Sequence, residues 1–361
     1  MEKYMKYKEP NFDRLKNLPL CQFLPAPAHA VLPDGFMCTT NFPTYVHTSY
    51  GWIRAKKPRM DAHLIWDPKK KCVYTKEFRC IQKGDLVAIG EAEDGSEGVF
   101  VWEHAFSEEK TSEEEGFAFM RSEVSREKPI DYNAIIEEFK KNHGDKGHII
   151  WVIGPALVHA RGRSAMEWMI KNGYVHSILT GNAVAVHDVE AALFGSTLGM
   201  KADGSGAAGG HSYHMRAINE VKKAGSIEGL VESGALKSGI MYEVCRHNIP
   251  YVLAGSIRDD GPLPETITDV LEAQAQMRTY TQQATMVVMV ATALHSIATG
   301  NMLPTYCTRP DGSLDELTTI CVDQTEFLVS KLKDRGTHQA FGIVTNAQDF
   351  MRLLQVELGA S

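Results

Sequence analysis

The chain has 361 residues, 43% of them hydrophobic and 23% charged, with a formal net charge of -7 at pH 7. That length supports about two globular domains, and that composition excludes a disordered or fibrous chain. Acidic and basic residues are scattered along the whole sequence, which argues against nucleic acid as a partner. The longest apolar stretch, residues 286–294, is too short to cross a membrane.

Residues 1–16 mix Lys, Glu and Asp without an apolar core, so no signal peptide is expected and the protein is read as cytoplasmic. Between residues 18 and 90, short runs such as Thr44-Tyr-Val-His-Thr48 and Ala62-His-Leu-Ile-Trp66 are broken by Pro and Gly, which predicts a β-rich first domain, residues 1–125. Residues 107–116, dominated by Glu, are expected to form a solvated loop. A helix over 131–142 opens the second domain, residues 126–361. The seven cysteines are far apart with no C-x-x-C spacing, and they are expected to be buried reduced thiols.

Beyond Gly147, continuously apolar runs alternate with helix-length stretches, the pattern of a parallel α/β sheet whose strands are buried on both faces. The runs are 148–153, 176–180, 250–254, 286–291, 319–323 and 341–345. Helices are expected near 164–171, 182–194, 213–223, 264–280 and 326–335, with Gly173, Gly195 and Gly336 as C-terminal caps.

In an open α/β sheet ligands sit at the carboxyl ends of the strands. Here those ends carry glycines and polar side chains: Gly154-Pro155, Gly181-Asn182, Gly255 to Pro264, Thr292 to His295, Asp323, and Thr345-Asn346. Helix N-termini for phosphates and carboxylates for ribose hydroxyls suit a dinucleotide, with Asp323 the ribose candidate or simply a helix cap. No G-x-G-x-x-G follows the first run. Residues 195–210, rich in glycine, fit a lid, a phosphate cradle or a plain connector. In Gly255 to Pro264, Arg258 could clamp a carboxylate while Asp259 and Asp260 hold an ammonium, a ribose or a proton; an internal ion pair beside a turn is the alternative. His187, Asp188, His211 and His214 lack a further ligand at metal-site spacing, so no metal is expected. The sequences of a serine-hydrolase elbow, a P-loop and a zincin are all missing.

Longer blocks are more specific. Thr39-Thr-Asn-Phe-Pro-Thr44, Lys83-Gly-Asp-Leu-Val87, Gly181-Asn-Ala183, His187-Asp-Val-Glu-Ala-Ala-Leu-Phe-Gly195, Ser238-Gly-Ile-Met-Tyr-Glu243 and Leu294-His-Ser-Ile-Ala-Thr-Gly-Asn-Met-Leu-Pro304 resemble, in order and over nearly the whole chain, the archaeal-type ornithine cyclodeaminases. These were long labelled the lysine-oxoglutarate reductase/saccharopine dehydrogenase bifunctional conserved region. The resemblance implies an α/β fold with a Rossmann-like, deoxyhypusine synthase-like C-terminal domain. It implies a held NAD touched by Asn182, Ala183, Asp260, Thr292, Leu294, His295 and Asp323. It also implies conversion of L-ornithine to L-proline and ammonia by internal hydride transfer. Asp259, Glu243 and His211 are the candidate acid and base groups, and Arg258 or Asn41 the holder of the substrate carboxylate. By analogy a homodimer or homotetramer is expected.

The sequence departs from the family pattern at Gln324-Thr325, at residues 308–317, which look inserted, and around Cys245. These departures leave room for a paralogue using another diamino acid, for an amino-acid or saccharopine-type dehydrogenase that releases NADH, and for a non-catalytic NAD-binding protein.

Overall fold

The computed structural model describes residues 7–106, 130–159, 161–201, 204–259, 261–326, 329 and 340–359. The chain divides into two compact units, residues 1–130 with 301–317, and residues 131–300 with 318–361.

The first unit holds two antiparallel sheets. One orders β1 (Gln22–Pro25), β6 (Leu86–Ile89), β4 (His63–Asp67) and β5 (Cys72–Lys76), and the other orders β3 (Gly51–Arg54), β2 (Thr44–Thr48) and β7 (Val99–Val101). Val46, Leu64, Val73, Ala88 and Val99 from both sheets share one buried core. The hairpin of β15 (Tyr306–Thr308) and β16 (Leu314–Glu316), in the region that looks inserted, returns to this unit. Its Tyr306 ring lies 5.7 Å from the Arg54 guanidinium, which also covers Tyr7 at 5.5 Å. A cation over aromatic faces thereby fastens both chain segments to β3.

The second unit is a seven-stranded sheet in the order β13-β12-β9-β8-β14-β17-β18, with every pairing parallel. Its strands are β8 (Ile149–Ile153), β9 (Ser177–Gly181), β12 (Tyr251–Ala254), β13 (Thr266–Ile267), β14 (Met286–Val290), β17 (Thr318–Asp323) and β18 (Ala340–Val344). The six apolar runs are therefore all strands, and β8, β9 and β14 are buried along their whole length. Strand order reverses between β8 and β14, which creates a Rossmann-type switch point at their carboxyl ends.

The expected helices are found as α1 (Tyr132–Lys141), α3 (Arg163–Lys171), α4 (Asn182–Phe194) and α5 (Tyr213–Ala224). Asp131 caps α1 through its side chain, and Gly195 ends α4 at φ +69°. The helix expected over 264–280 begins later, as α8 (Val270–Thr281). Pro262 and Pro264 disfavour a helix there, residues 266–267 instead add the strand β13, and Asp269 accepts from Leu271 N and Glu272 N to start α8. Helices α2 (Pro155–His159), α6 (Ile227–Glu232), α7 (Ile240–Arg246), α9 (Ala293–Gly300) and α10 (Ala347–Gly359) were not anticipated. The loop expected at 107–116, Gly336 and nearly all of the helix expected at 326–335 lie outside the described residues.

The seven cysteines are unbridged. Cys38 and Cys80 are exposed and Cys245 is half-buried, so the expected burial holds for only four of them. No helix among the described residues is long and apolar enough to cross a membrane.

At the amino edge of the parallel sheet, His148 and His176 lie 5.5 Å apart. His148 Nε2 faces Ser177 Oγ at 3.2 Å, and His176 Nδ1 accepts from Ile149 N at 3.0 Å. Burial, and next the charge of His176, push His148 down to about 4 from its ordinary 6.5. An unfolded chain takes up this proton near 6.5 whereas the folded one holds out to about 4, so stability falls as pH drops through that window. We expect urea midpoints to decline between pH 6.5 and 4, with His148→Gln removing about 2–3 kcal/mol of the decline. An equal decline in wild type and variant would show that His148 is not its source.

Candidate functional site

Because all seven strands run the same way, their carboxyl ends share one edge. At its centre Gly154 follows β8, and its amide donates to Val290 O at 2.9 Å. A Cβ on Gly154 would overlap the Ala291 carbonyl, so the two strand ends meet at a distance only glycine permits. Ala291 itself is left-handed, at φ +54°. It turns the chain at once into α9, bringing Thr292, Leu294 and His295 to the edge.

His295 reaches from α9 toward β9. A Cβ on Gly181 would lie 3.0 Å from its Cε1 and 3.4 Å from its Nε2. With β8 between β9 and β14, the imidazole therefore sits over the switch point. Its Nδ1 is 3.3 Å from Thr292 Oγ1. Burial holds its pKa below the usual histidine range, partly countered by the Asp259 carboxylate. Leu294, beside it, is 69% exposed, a large apolar side chain at the rim with nothing covering it among the described residues.

The loop after β12 brings Asp259 to the same side. Its Oδ2 accepts from Ser256 N at 2.7 Å, which shapes the turn and fixes the carboxylate. Arg258 projects from this turn and is exposed, as is Ile257. Asp260 lies outside the described residues.

Asn182 starts α4 and is buried. Its side-chain oxygen accepts from Leu263 N at 3.0 Å and Thr266 Oγ1 at 2.9 Å, so it anchors the segment leading into β13. Ala183 follows, half-buried, in the first turn, and the N-cap residue, Gly181, has no side chain to cap this helix end. At the end of β17, Asp323 Oδ1 accepts from Thr325 N at 2.9 Å and Thr325 Oγ1 at 2.7 Å. These bonds to Thr325 occupy one oxygen only.

These features fit a dinucleotide. The uncapped first turn of α4 offers N–H groups to a phosphate, and the close approach at Gly154 clears the crevice of side chains. Asp323 Oδ2, without a partner among the described residues, suits a ribose hydroxyl.

Two other residues singled out in the sequence, Glu243 and His211, lie away from this edge, and a third, Asn41, belongs to the other unit. Glu243, on α7, pairs with Lys171 Nζ at 3.0 Å and faces His247 Nε2 at 3.4 Å. Lys171 ends α3, which runs back from the carboxyl edge, so Glu243 ties two helices together toward the other side. His211 is exposed just before α5, beyond the far end of α4, which at 13 residues is about 20 Å long. Asn41 belongs to the first unit, ahead of β2, where its carbonyl accepts from Thr305 N at 2.9 Å.

Residues 196–201 pair as a small ribbon, β10 (Ser196–Thr197) with β11 (Met200–Lys201), and Gly210 is buried against Gly199. His187 is not grouped with His211. Its Nδ1 is 2.9 Å from the buried Glu190 Oε2, and its ring lies 4.7 Å from that of His159, a cluster the sequence reading missed because α2 was not foreseen. Among the described residues no three His, Cys, Asp or Glu side chains are grouped to hold a metal ion.

Residues 133–354 match the family model described as arginine dihydrolase ArgZ-like, C-terminal, Rossmann fold, and residues 43–134 match that of the ArgZ-like C-terminal first region. The chain is 46% identical over 337 residues to a protein of Methanopyrus kandleri named ornithine cyclodeaminase, covering 92% of this chain and 77% of the relative. A crystal structure of a conserved LOR/SDH protein from Methanococcus maripaludis superposes with a TM-score of 0.84 at 43% identity, covering 95% of this chain and 99% of that one. A crystal structure of AgrE in ternary complex with ornithine and NAD+ is similar at 32% identity and a TM-score of 0.58, covering 96% of this chain and 45% of that longer one.

Proposed function

The chain belongs to the ArgZ-like ornithine cyclodeaminase family, and from that premise we propose that it is an NAD-dependent ornithine cyclodeaminase, an ammonia-lyase that converts L-ornithine to L-proline. Within the molecule, the observation that carries this reading is the carboxyl edge of the parallel sheet. There the glycine-preceded start of α4, Asp323 with its Oδ2 unpartnered among the described residues, and Asp259 acting on His295 share one edge. The bound ornithine and NAD+ of the AgrE complex support the same pairing of substrate and cofactor.

Bound NAD would supply a hydride acceptor that is also the later hydride donor, so no net oxidant is used. Asn182, Ala183, Asp260, Thr292, Leu294, His295 and Asp323 are proposed to hold it. The exposed Arg258 guanidinium suits the substrate carboxylate, which it can meet with two parallel N–H donors. Glu243, engaged with Lys171, serves the packing of α3 on α7. The protein is proposed to work in the cytoplasm as a homo-oligomer.

The test is to release and identify the nucleotide carried by purified protein, then follow proline, ammonia and NADH together on addition of L-ornithine. Proline and ammonia in equal amounts without NADH are expected. Stoichiometric NADH would instead identify a net dehydrogenase, and bound NAD without proline would direct attention to other diamino acids.

A further inference from the structure

We propose that His295 is the proton carrier of the reaction, its Nε2 taking a proton from the substrate ammonium and returning it to the nitrogen that leaves. The inference rests on the reading of the protein as a diamino-acid cyclodeaminase. It replaces His211, the histidine favoured by the sequence, with one the fold delivers to the site.

Three observations place His295 there. Its Cε1–Nε2 edge faces Gly181 across the end of β8, so the imidazole occupies the mouth of the switch-point crevice. Its Nδ1 is engaged by Thr292 Oγ1, which fixes the ring and leaves Nε2 as the nitrogen directed at a ligand. Nε2 has no partner among the described residues, and Asp259 is the charged group that acts on this ring. A half-buried imidazole with one nitrogen held and the other open is the arrangement a general base requires. His211 is exposed beyond the opposite end of α4. His159 and His187 pack against each other with rings tilted at 60°, beside Glu190, between α2 and α4.

The chemistry balances. An α-ammonium cannot become an iminium until it has lost a proton. Transfer of that proton to His295 Nε2 leaves a neutral amine and an imidazolium. As the α-hydride departs to the nicotinamide, the nitrogen lone pair forms the C=N bond and the nitrogen takes the positive charge. After the neutral side-chain amine has added to that carbon, the imidazolium returns its proton to the former α-nitrogen and takes in exchange the surplus proton of the new ring nitrogen, whose freed lone pair forms the cyclic C=N bond as the α-nitrogen leaves as neutral ammonia. The hydride then reduces the cyclic iminium. Asp259 acts through His295 as a positioning residue, favouring the imidazolium while it exists.

The experiment uses the NAD-loaded protein and its His295→Gln, His295→Asn and Asp259→Asn variants. Proline formation is measured from pH 5 to 9, NAD affinity by calorimetry, and the His295 imidazole by NMR with 13C-labelled histidine, its signal assigned by its loss in the variants. Because His295 also stands among the residues proposed to hold NAD, kcat is compared at saturating NAD, where both His295 variants are expected to lose about 10²–10⁴-fold. Asp259→Asn is expected to move the acid limb of the wild-type profile to lower pH, because it removes the negative charge that favours His295⁺. Addition of L-ornithine should shift the His295 titration.

Retained kcat with an unchanged acid limb in both His295 variants overturns the proposal, as does a loss explained wholly by weaker NAD binding. A wild type that makes no proline tells against the ornithine reading instead. The NMR titration then decides on His295 separately: a response to L-ornithine supports its contact with the ammonium substrate, and an unmoved signal overturns it.

Discussion

Gly154→Ala is expected to give a protein with a markedly lower melting temperature and no measurable NAD affinity. The added methyl would occupy the position of the Ala291 carbonyl oxygen, and Thr292 Cβ lies only 2.9 Å from it. Relief cannot come from a side-chain rotation, because the first obstacle is backbone. β8 and β14 would have to separate at Ile153 and Val290, the last paired residues before the crevice, and Gly154 N would lose its bond to Val290 O. Overpacking of this kind costs about 1–3 kcal/mol and more where backbone must move, equivalent to a fall of roughly 5–10 °C for a unit of this size. Gly206→Ala is the control: nothing lies within 4 Å of its Cβ position, and it is expected to melt with the wild type. Equal melting of the two variants would mean that the sheet tolerates separation at its centre.

The same seam shows why the sheet was legible in the sequence while the site was only partly so. Strands covered on both faces must be continuously apolar, and Ile149 to Ile153 or Met286 to Val290 can hardly be read otherwise. A switch point is a property of strand order, which no local pattern carries. Pairing of β8 with β14, 137 residues apart at Ile153 and Val290, had to be observed. α9 escaped notice because it starts two residues after a strand and contains no charged residue, so neither a polar face nor a break announced it.

Depth along a helix was equally invisible. Gly195 to Gly210 has the composition of a phosphate loop, yet it lies where α4 ends rather than where it begins, and His211 goes with it. Glu243 attracted attention as a carboxylate in a family block. Its ion pair with Lys171 joins residues 72 positions apart and could not be inferred from either neighbourhood. Asp259 and His295 could have been coupled from sequence only by knowing that β12 and β14 deliver their loops to one edge.

The second large effect is expected from Asp188, the residue next to His187. It is fully buried on α4. Oδ1 accepts from Arg163 Nε at 2.7 Å and from Ile240 N at 3.0 Å, and Oδ2 accepts from Met241 N at 2.8 Å. One carboxylate thus neutralises a cation of α3 and caps the N-terminus of α7, where negative charge is favoured. Gly239 just ahead has φ +117°, and a Cβ there would run into Arg163 and into Asp188 Oδ2 at 2.7 Å. The three elements therefore close on each other, with Glu167 Oε1 3.8 Å from Arg163 Nε as the other carboxylate at the guanidinium. Asp188→Ala should leave the partly buried Arg163 guanidinium with only Glu167 Oε1 at 3.8 Å and two helix-start amides unsatisfied, at a cost of about 2–4 kcal/mol. Asp188→Asn keeps an acceptor without the charge and should fall between the two. Urea unfolding of the three proteins at pH 7 measures this. If Asp188→Ala matched the wild type, solvent would be reaching Arg163, and the closure of α3, α4 and α7 described above would be wrong.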